Sequence, residues 1–342
     1  MIRRARRNLA ALIAGSLLLA GTTTACGSSD AATNADGSTT IRYQTYMGSV
    51  NLPELADALG FYDNIELERL GDVQGGPESL RAVATDQVDY AAAFLGAIAK
   101  VNSTGAPLTT VVSYYGSDDT VNSSILVRTE DKLTQARDLI GKKVAVNTLG
   151  ANAEAIIDTY LEEGGLTADE IDEVTLVPLP STSTENALRE GQVDAAYLGG
   201  TAREVALQRP GLDVLVADID VVGPYSGGGI TLRDDFIAKN PEVTEEFVAG
   251  IAKAIEWTKA HSKEEVIEVI TDYLTEHDRA AEAESLQYWK GTGISAEGGL
   301  LADADFEIWL DWLEASGEVE PGSVDLSEIY TNEFNPYAEG SR

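Results

Sequence analysis

Between Thr40 and about Leu232 the chain alternates short β-rich runs with stretches of helical periodicity, and that alternation constrains its fold most. The runs fall at residues 41–46, 65–69, 88–92, 108–115, 124–128, 143–147, 174–178, 193–198 and 214–217. Strands separated by helical segments build βαβ units, which predicts an α/β fold with mostly parallel sheets. After Asp234 the pattern turns helical, over residues 243–259, 264–274 and 306–315, with Trp257, Trp309 and Trp312 on the apolar stripes. This tail is expected to pack back on the first α/β unit.

An internal echo divides the α/β part. Ala82-Val83 followed by Gln87-Val88-Asp89 recurs at the same spacing as Ala187-Leu188 followed by Gln192-Val193-Asp194, each ending a helix and starting a strand. Two similarly built halves with a cleft between them explain the echo, and chance similarity of helix-to-strand turns is the alternative. Residues 122–128 and 227–233 separate the middle block from its flanks and are the expected hinges. Gly227, Gly228 and Gly229 give the second crossing either freedom to absorb a dihedral change or an ordinary glycine turn.

The amino terminus sets the compartment. Arg3, Arg4, Arg6 and Arg7 precede an apolar run at residues 9–20, followed by small residues, which is the layout of an export signal. That run is well short of the roughly 20 residues that span a bilayer as a helix. Cys26, the one cysteine, follows Thr23, Thr24 and Ala25 in a pattern that resembles a bacterial lipobox, so cleavage before it and lipidation are expected. A buried small hydrophobe is the plainer reading of a lone cysteine. Arg6-Arg7-Asn8-Leu9 also admits a twin-arginine route. Residues 27–39 lack large apolar side chains and read as a tether.

The expected organisation is therefore a signal at 1–25, a lipid-anchored flexible tether at 26–39, a discontinuous first lobe of 40–124 with 232–342, and a second lobe of 125–231. A formal net charge of −33 argues against nucleic-acid binding and reads as a solvated acidic surface. A single cysteine leaves neither a disulfide framework nor a cysteine-based zinc cluster.

Several stretches together resemble the solute-binding proteins of the nitrate, sulfonate, taurine and thiamine-precursor ABC importers. Ile41-Arg42-Tyr43-Gln44 is similar to that family's first strand and Leu59-Gly60-Phe61-Tyr62 to the turn after its first helix. Asp138-Leu139-Ile140-Gly141-Lys142-Lys143-Val144-Ala145-Val146 is similar to the strand entry of its second lobe, and Gln192-Val193-Asp194-Ala195 and Ile230-Thr231-Leu232-Arg233 follow in the family's order. The resemblance implies a type II periplasmic-binding-protein fold: two lobes with central mixed sheets, joined by two hinge strands, holding ligand at the carboxyl ends of strands. Two departures fall where a ligand would sit. Phe94 stands where the family often has glycine, and Tyr197, Leu198, Gly199 and Gly200 stand where it often has an aromatic and a proline.

The turn Thr148-Leu149-Gly150-Ala151-Asn152 opens a helix whose free N–H groups and dipole favour an anion, and it resembles the family's oxyanion-binding turn; a simple N-cap accounts for the same residues. Tyr46, Tyr114, Tyr115, Tyr197 and Tyr225 gather at strand ends, each offering an apolar wall and a hydroxyl, or else packing in the core. Ser181 and Thr182 either donate to a ligand or cap the next helix. Gln44, Phe94, Leu95, Asn122, Gly199 and Ser226 complete the expected lining. No lysine or arginine falls in these loops, so an anion would depend on hydrogen bonds and helix dipoles, and a zwitterion or neutral polar ring would also fit.

Chemistry has few parts here. His261 and His277 lie on C-terminal helices with solvated faces expected, Asp118 and Asp119 read as loop surface, and nucleophile elbow, P-loop and cysteine cluster are all missing from the sequence. The expected function is capture of a sulfonate- or taurine-like solute for an ABC permease and its ATPase, by a monomer that needs no cofactor or metal. A binder of an aromatic heterocycle such as a thiamine pyrimidine precursor is the alternative. An enzyme on the same fold and an adhesin-type surface lipoprotein are the readings from other classes.

Overall fold

The structure is a computed structural model that describes residues 32–46 and 49–338. The export segment, Cys26 and the start of the tether lie outside these residues. The described strands are β1 (Ala32–Thr33), β2 (Thr39–Thr45), β3 (Ile65–Asp72), β4 (Tyr90–Phe94), β5 (Leu108–Ser117), β6 (Ser124–Arg128), β7 (Lys143–Val146), β8 (Thr175–Pro178), β9 (Ala195–Leu198), β10 (Leu212–Ala217) and β11 (Tyr225–Arg233). They make three sheets, ordered β1-β2-β3, β4-β11-β5 and β10-β6-β9-β7-β8. The α-helices are α1 (Leu52–Ala58), α2 (Gly76–Ala84), α3 (Leu95–Ser103), α4 (Asn152–Glu163), α5 (Ala168–Ile171), α6 (Ser181–Arg189), α7 (Gly200–Gln208), α8 (Asp218–Val222), α9 (Asp234–Lys239), α10 (Pro241–Ala260), α11 (Lys263–Glu276), α12 (Asp303–Ala315) and α13 (Leu326–Ile329).

Every run read from the sequence as β is a strand, and the burial patterns explain which strands are central. β4 is buried at each position and sits beside β11, whereas β3 alternates at the rim of its sheet. The sheets are mixed rather than mostly parallel. β7 runs parallel to β8 and β9, and β2 to β3, but β6 is antiparallel to β9 and β10, and β11 to β4 and β5. Apart from the β1–β2 pair, every antiparallel pair among the described strands involves β6 or β11, the strands that follow the chain's passages between the second and third of these sheets.

Two expectations are corrected. Residues 32–38, assigned to the tether, fold back as a hairpin: Ala32 pairs with Thr40 and Thr33 with Thr39, and the Asn34 amide nitrogen donates to Ser38, Thr40 and Glu66. Gly227, Gly228 and Gly229 do not form a turn. They lie within β11, with Gly228 and Gly229 paired on both sides; the ring of Tyr115 occupies the space of a Cβ on Gly227 or Gly228, and Thr110 that of a Cβ on Gly229.

Apolar clusters cover both faces of the sheets. One packs α1, α10 and α11 on β2, β4, β5 and β11 through Tyr43, Leu55, Phe247, Ile251 and Ile255. A second buries Phe94, Phe306, Trp309 and Trp312 between α2, α3 and α12. The tail therefore packs back as expected, and full burial of one such aromatic contributes about 1.5–3 kcal/mol. Two smaller clusters sandwich the five-stranded sheet, one under α4 and one under α6 and α7.

Candidate ligand cavity

A cavity of about 340 Å³ opens between the five-stranded sheet and the strand ends of the other two. Tyr46 follows β2, Phe94 ends β4, and Tyr114, Tyr115 and Gly116 lie near the end of β5. Facing them are Asn122 and Ser123 before β6, Ala151 and Asn152 at the start of α4, Ser181 at the start of α6, and Tyr197 to Ala202 at the end of β9 and the start of α7. Among the described residues that line it none carries a formal charge.

Local structure fixes these walls. Tyr46 donates its hydroxyl to the Ala92 carbonyl at 2.6 Å, so its ring lies along the cavity edge. Tyr114 and Tyr115 meet edge to face at 6.4 Å. Burial holds both phenols above the ordinary tyrosine range, so they present neutral O–H groups. Asn152 Oδ1 accepts from Tyr197 at 2.8 Å and lies 3.2 Å from the Tyr225 hydroxyl, while its Nδ2 is buried without a partner among the described residues. Asn122 donates to the Asp118 carbonyl at 3.3 Å and keeps a buried Oδ1 unpaired. A buried amide donor and a buried amide acceptor without partners call for groups from outside the chain.

Ten of the seventeen residues expected at the site from sequence line this cavity: Tyr46, Phe94, Tyr114, Tyr115, Asn122, Ala151, Asn152, Ser181, Tyr197 and Gly199. Seven do not. Thr148 packs its methyl group where a side chain on Gly75 would lie, and Gly150 donates its N–H to the Glu154 carboxylate at 2.7 Å, so much of the proposed oxyanion turn is turned away or already filled. Thr182 is exposed, Leu95 is fully buried in the core, and Gln44 and Ser226 stay within β2 and β11. Tyr225 stands behind the wall, its hydroxyl 2.9 Å from Asp218 and its ring edge-on to Trp309.

Sequence reasoning missed Trp289, Gly291 and Thr292, which close one side. Their segment is clamped to β5. Gly116 donates to the Thr292 carbonyl at 3.0 Å, and a Cβ on Gly293 would meet the Gly116 oxygen at 2.2 Å. The pattern Gly291-Thr292-Gly293, with positive φ at both glycines, is the signal that could have found it. The histidines lie away from the cavity: His261 stacks on Trp257 and His277 on Tyr273, both exposed near helix ends.

A family model described as NMT1/THI5 like matches residues 55–265. The riboflavin-binding protein RibY of Chloroflexus aurantiacus is 24% identical over 296 residues, covering 82% of this chain and 81% of that protein. Among solved structures, the ligand-binding component of an ABC-type import system from Staphylococcus aureus with zinc bound aligns with a TM-score of 0.65 at 13% identity, over 87% of this chain and 98% of that one. The alkanesulfonate-binding protein SsuA from Xanthomonas axonopodis pv. citri bound to MOPS aligns at 0.66 with 17% identity, over 85% and 98%. The desulfurization enzyme DSZB aligns at 0.60 with 17% identity, over 86% and 97%. At these identities the structures establish a shared fold.

Proposed function

The chain belongs to the NMT1/THI5-like family, and from that premise we propose that it is the solute-binding component of an ABC importer, whose solute is an uncharged planar heterocycle. Its fold is the type II periplasmic-binding fold. We assign residues 40–124 with 232–342 to one lobe and 125–231 to the other, crossed at β5–β6 and β11. Delivery to a permease with its ATPase, from a monomer held at the outer face of the membrane by lipidated Cys26, completes the reading; Cys26 lies outside the described residues.

The observation that carries the solute class is an aromatic cavity that, among the described residues, has no charged lining residue but has one amide donor, Asn152 Nδ2, and one amide acceptor, Asn122 Oδ1, left unpaired. Tyr46, Tyr114, Tyr115 and Trp289 offer stacking surface, and the amides match a ring edge that carries both a carbonyl and an N–H. The riboflavin-binding relative agrees with this. Solute and cavity form a match of a few polar groups set in an apolar wall, as ligand sites commonly do. The sulfonate reading keeps one support, since Ala151, Asn152 and Ala153 at the start of α4 line the cavity.

Catalysis is disfavoured by the same lining. Among the described residues the wall has no histidine, cysteine, carboxylate or amine, so none of these usual acids, bases or nucleophiles faces the solute there. DSZB shows that the fold can host an enzyme, so the residues, not the fold, support the reading.

A thermal-shift screen on ligand-stripped protein tests this, with riboflavin, aminopyrimidines, alkanesulfonates and taurine. Solute at 100 times its Kd stabilises the native state by about 2.7 kcal/mol. Stabilisation by a heterocycle recovered unchanged supports the proposal. A response confined to sulfonates replaces the solute class, turnover replaces binding with catalysis, and no response at all favours a surface protein of another kind.

A further inference from the structure

Resting on the reading of this cavity as a solute site, we propose that Asn152 is its specificity-determining donor and that Tyr225 and Asp218, behind the wall, are positioning residues that hold the Asn152 amide in its donating orientation.

The assignment follows from counting protons. The Asp218 side chain is buried at 1% exposure, and its carboxylate accepts from the Ser117 hydroxyl at 2.9 Å, the Ile219 N–H at 2.8 Å, the Ser123 N–H at 3.1 Å and the Tyr225 hydroxyl at 2.9 Å. Four donors fill an ionised carboxylate. A phenol has one proton, and Tyr225 gives it to this nearer, charged acceptor rather than to Asn152 Oδ1 at 3.2 Å. Tyr197 must then place its own proton. It lies 2.8 Å from Asn152 Oδ1 and 3.5 Å from Asp218, so of these two acceptors Asn152 is the better placed.

A flipped Asn152 would present two N–H donors to the phenols and leave the Tyr197 proton without that acceptor. The unflipped amide is thereby selected, and its Nδ2 points away from both phenols. Asn152 lines the cavity and this nitrogen has no partner among the described residues, so it is the amide donor left for an acceptor that a solute brings. Burial raises the Asp218 carboxyl above its ordinary range while the four donors oppose that rise, so the ionised form depends on this set remaining intact.

The test uses riboflavin as probe, followed by quenching of its fluorescence, with the wild-type chain and the variants Asn152→Ala, Asn152→Asp, Tyr225→Phe and the double variant Asn152→Ala with Tyr225→Phe. Loss of the buried donor is expected to raise Kd about 10–100-fold in Asn152→Ala, and at least as much in Asn152→Asp, which keeps the shape but offers oxygen only. Tyr225→Phe is expected to raise Kd several-fold, and the double variant to bind like Asn152→Ala alone, because a residue that acts through another adds nothing once that other is gone. Unchanged affinity in Asn152→Ala, or additive losses in the double variant, overturns the proposal. A wild-type chain that binds no riboflavin or other heterocycle overturns the solute reading instead, and thermal unfolding of each unliganded variant separates loss of fold from loss of contact.

Discussion

Arg233 donates to the carbonyls of Val83 and Val88 at 3.1 and 3.0 Å, and Arg128 repeats the arrangement at Leu188 and Val193 at 2.6 and 2.7 Å. The surrounding turn repeats too. Gln87 and Gln192 each donate a backbone N–H five residues back, to Ala82 and Ala187, both at 2.9 Å. Asp89 accepts the Arg42 N–H at 2.7 Å, and Asp194 accepts the Lys143 N–H at 2.9 Å. The two arginines end β11 and β6, and each fastens a helix end to a strand start.

Replacing either arginine by methionine keeps length and apolar stem but strips two buried carbonyls of their donor. Arg233→Met is expected to lower stability by about 2–4 kcal/mol, and Arg128→Met by a similar amount. Urea unfolding measures this directly. A loss under about 0.5 kcal/mol, as for an ordinary surface change, would show that water replaces the guanidinium.

This repeated turn was legible in the sequence because its chemistry is local: apolar spacing ends the helix, glutamine turns the chain, and aspartate caps the next strand. The strands were legible for the same reason. The wall formed by Trp289, Gly291 and Thr292 was not, since a segment 170 or more positions beyond Gly116 reaches β5 only through tertiary packing. The Thr148–Asn152 turn misled in part. Its free N–H groups were read correctly as a helix start, but Glu154, already visible in the sequence, supplies the carboxylate that takes the Gly150 N–H.

Gly228 tests how far the cavity depends on the glycine run. A Cβ there would lie 2.1 Å from the Tyr115 ring and 2.7 Å from the Ala93 carbonyl, so the ring and a paired strand must both give way. Gly228→Ala is expected to cost about 1–3 kcal/mol of stability, as other insertions into packed sites do, and to weaken solute binding by displacing Tyr115. Calorimetric unfolding together with solute titration reads both. Unaltered values for both would mean that the glycines are not the shelf for Tyr115.

Asp158 gives stability a dependence on acidity. It sits between α4 and α12, accepts the Trp312 indole N–H at 3.1 Å, and is pushed up to about 6, chiefly by burial, with Glu154, Glu162 and Glu318 adding repulsion. A carboxyl whose folded value exceeds its unfolded value binds its proton more tightly when folded. Its contribution is fully present below about pH 4 and is lost as pH rises through 6. Asp158→Asn keeps an acceptor for the indole, so at pH 7.5 it is expected to stabilise the chain by about 2 kcal/mol, less than the full shift would give because part of the group meets solvent. Unfolding of both proteins from pH 4 to 8 isolates the effect. Parallel curves would remove Asp158 as its source.

Glu204 and Lys290 bridge the two walls of the cavity at 2.7 Å. Glu204 follows Thr201 and Ala202 on α7, and Lys290 lies between Trp289 and Gly291, so the ion pair joins residues adjacent to lining residues on both sides. Glu204 is 14% exposed and also takes Arg203, whereas Lys290 is 44% exposed, which limits the pair to a modest contribution. If solute is held by approach of the walls, Lys290→Met is expected to raise Kd about 2–5-fold at low salt, mainly through faster release. The wild-type affinity should then fall with ionic strength more steeply than that of the variant, because salt screens the partly exposed pair that the variant lacks. Equal slopes against salt would show that the pair is made before solute arrives and plays no part in holding it.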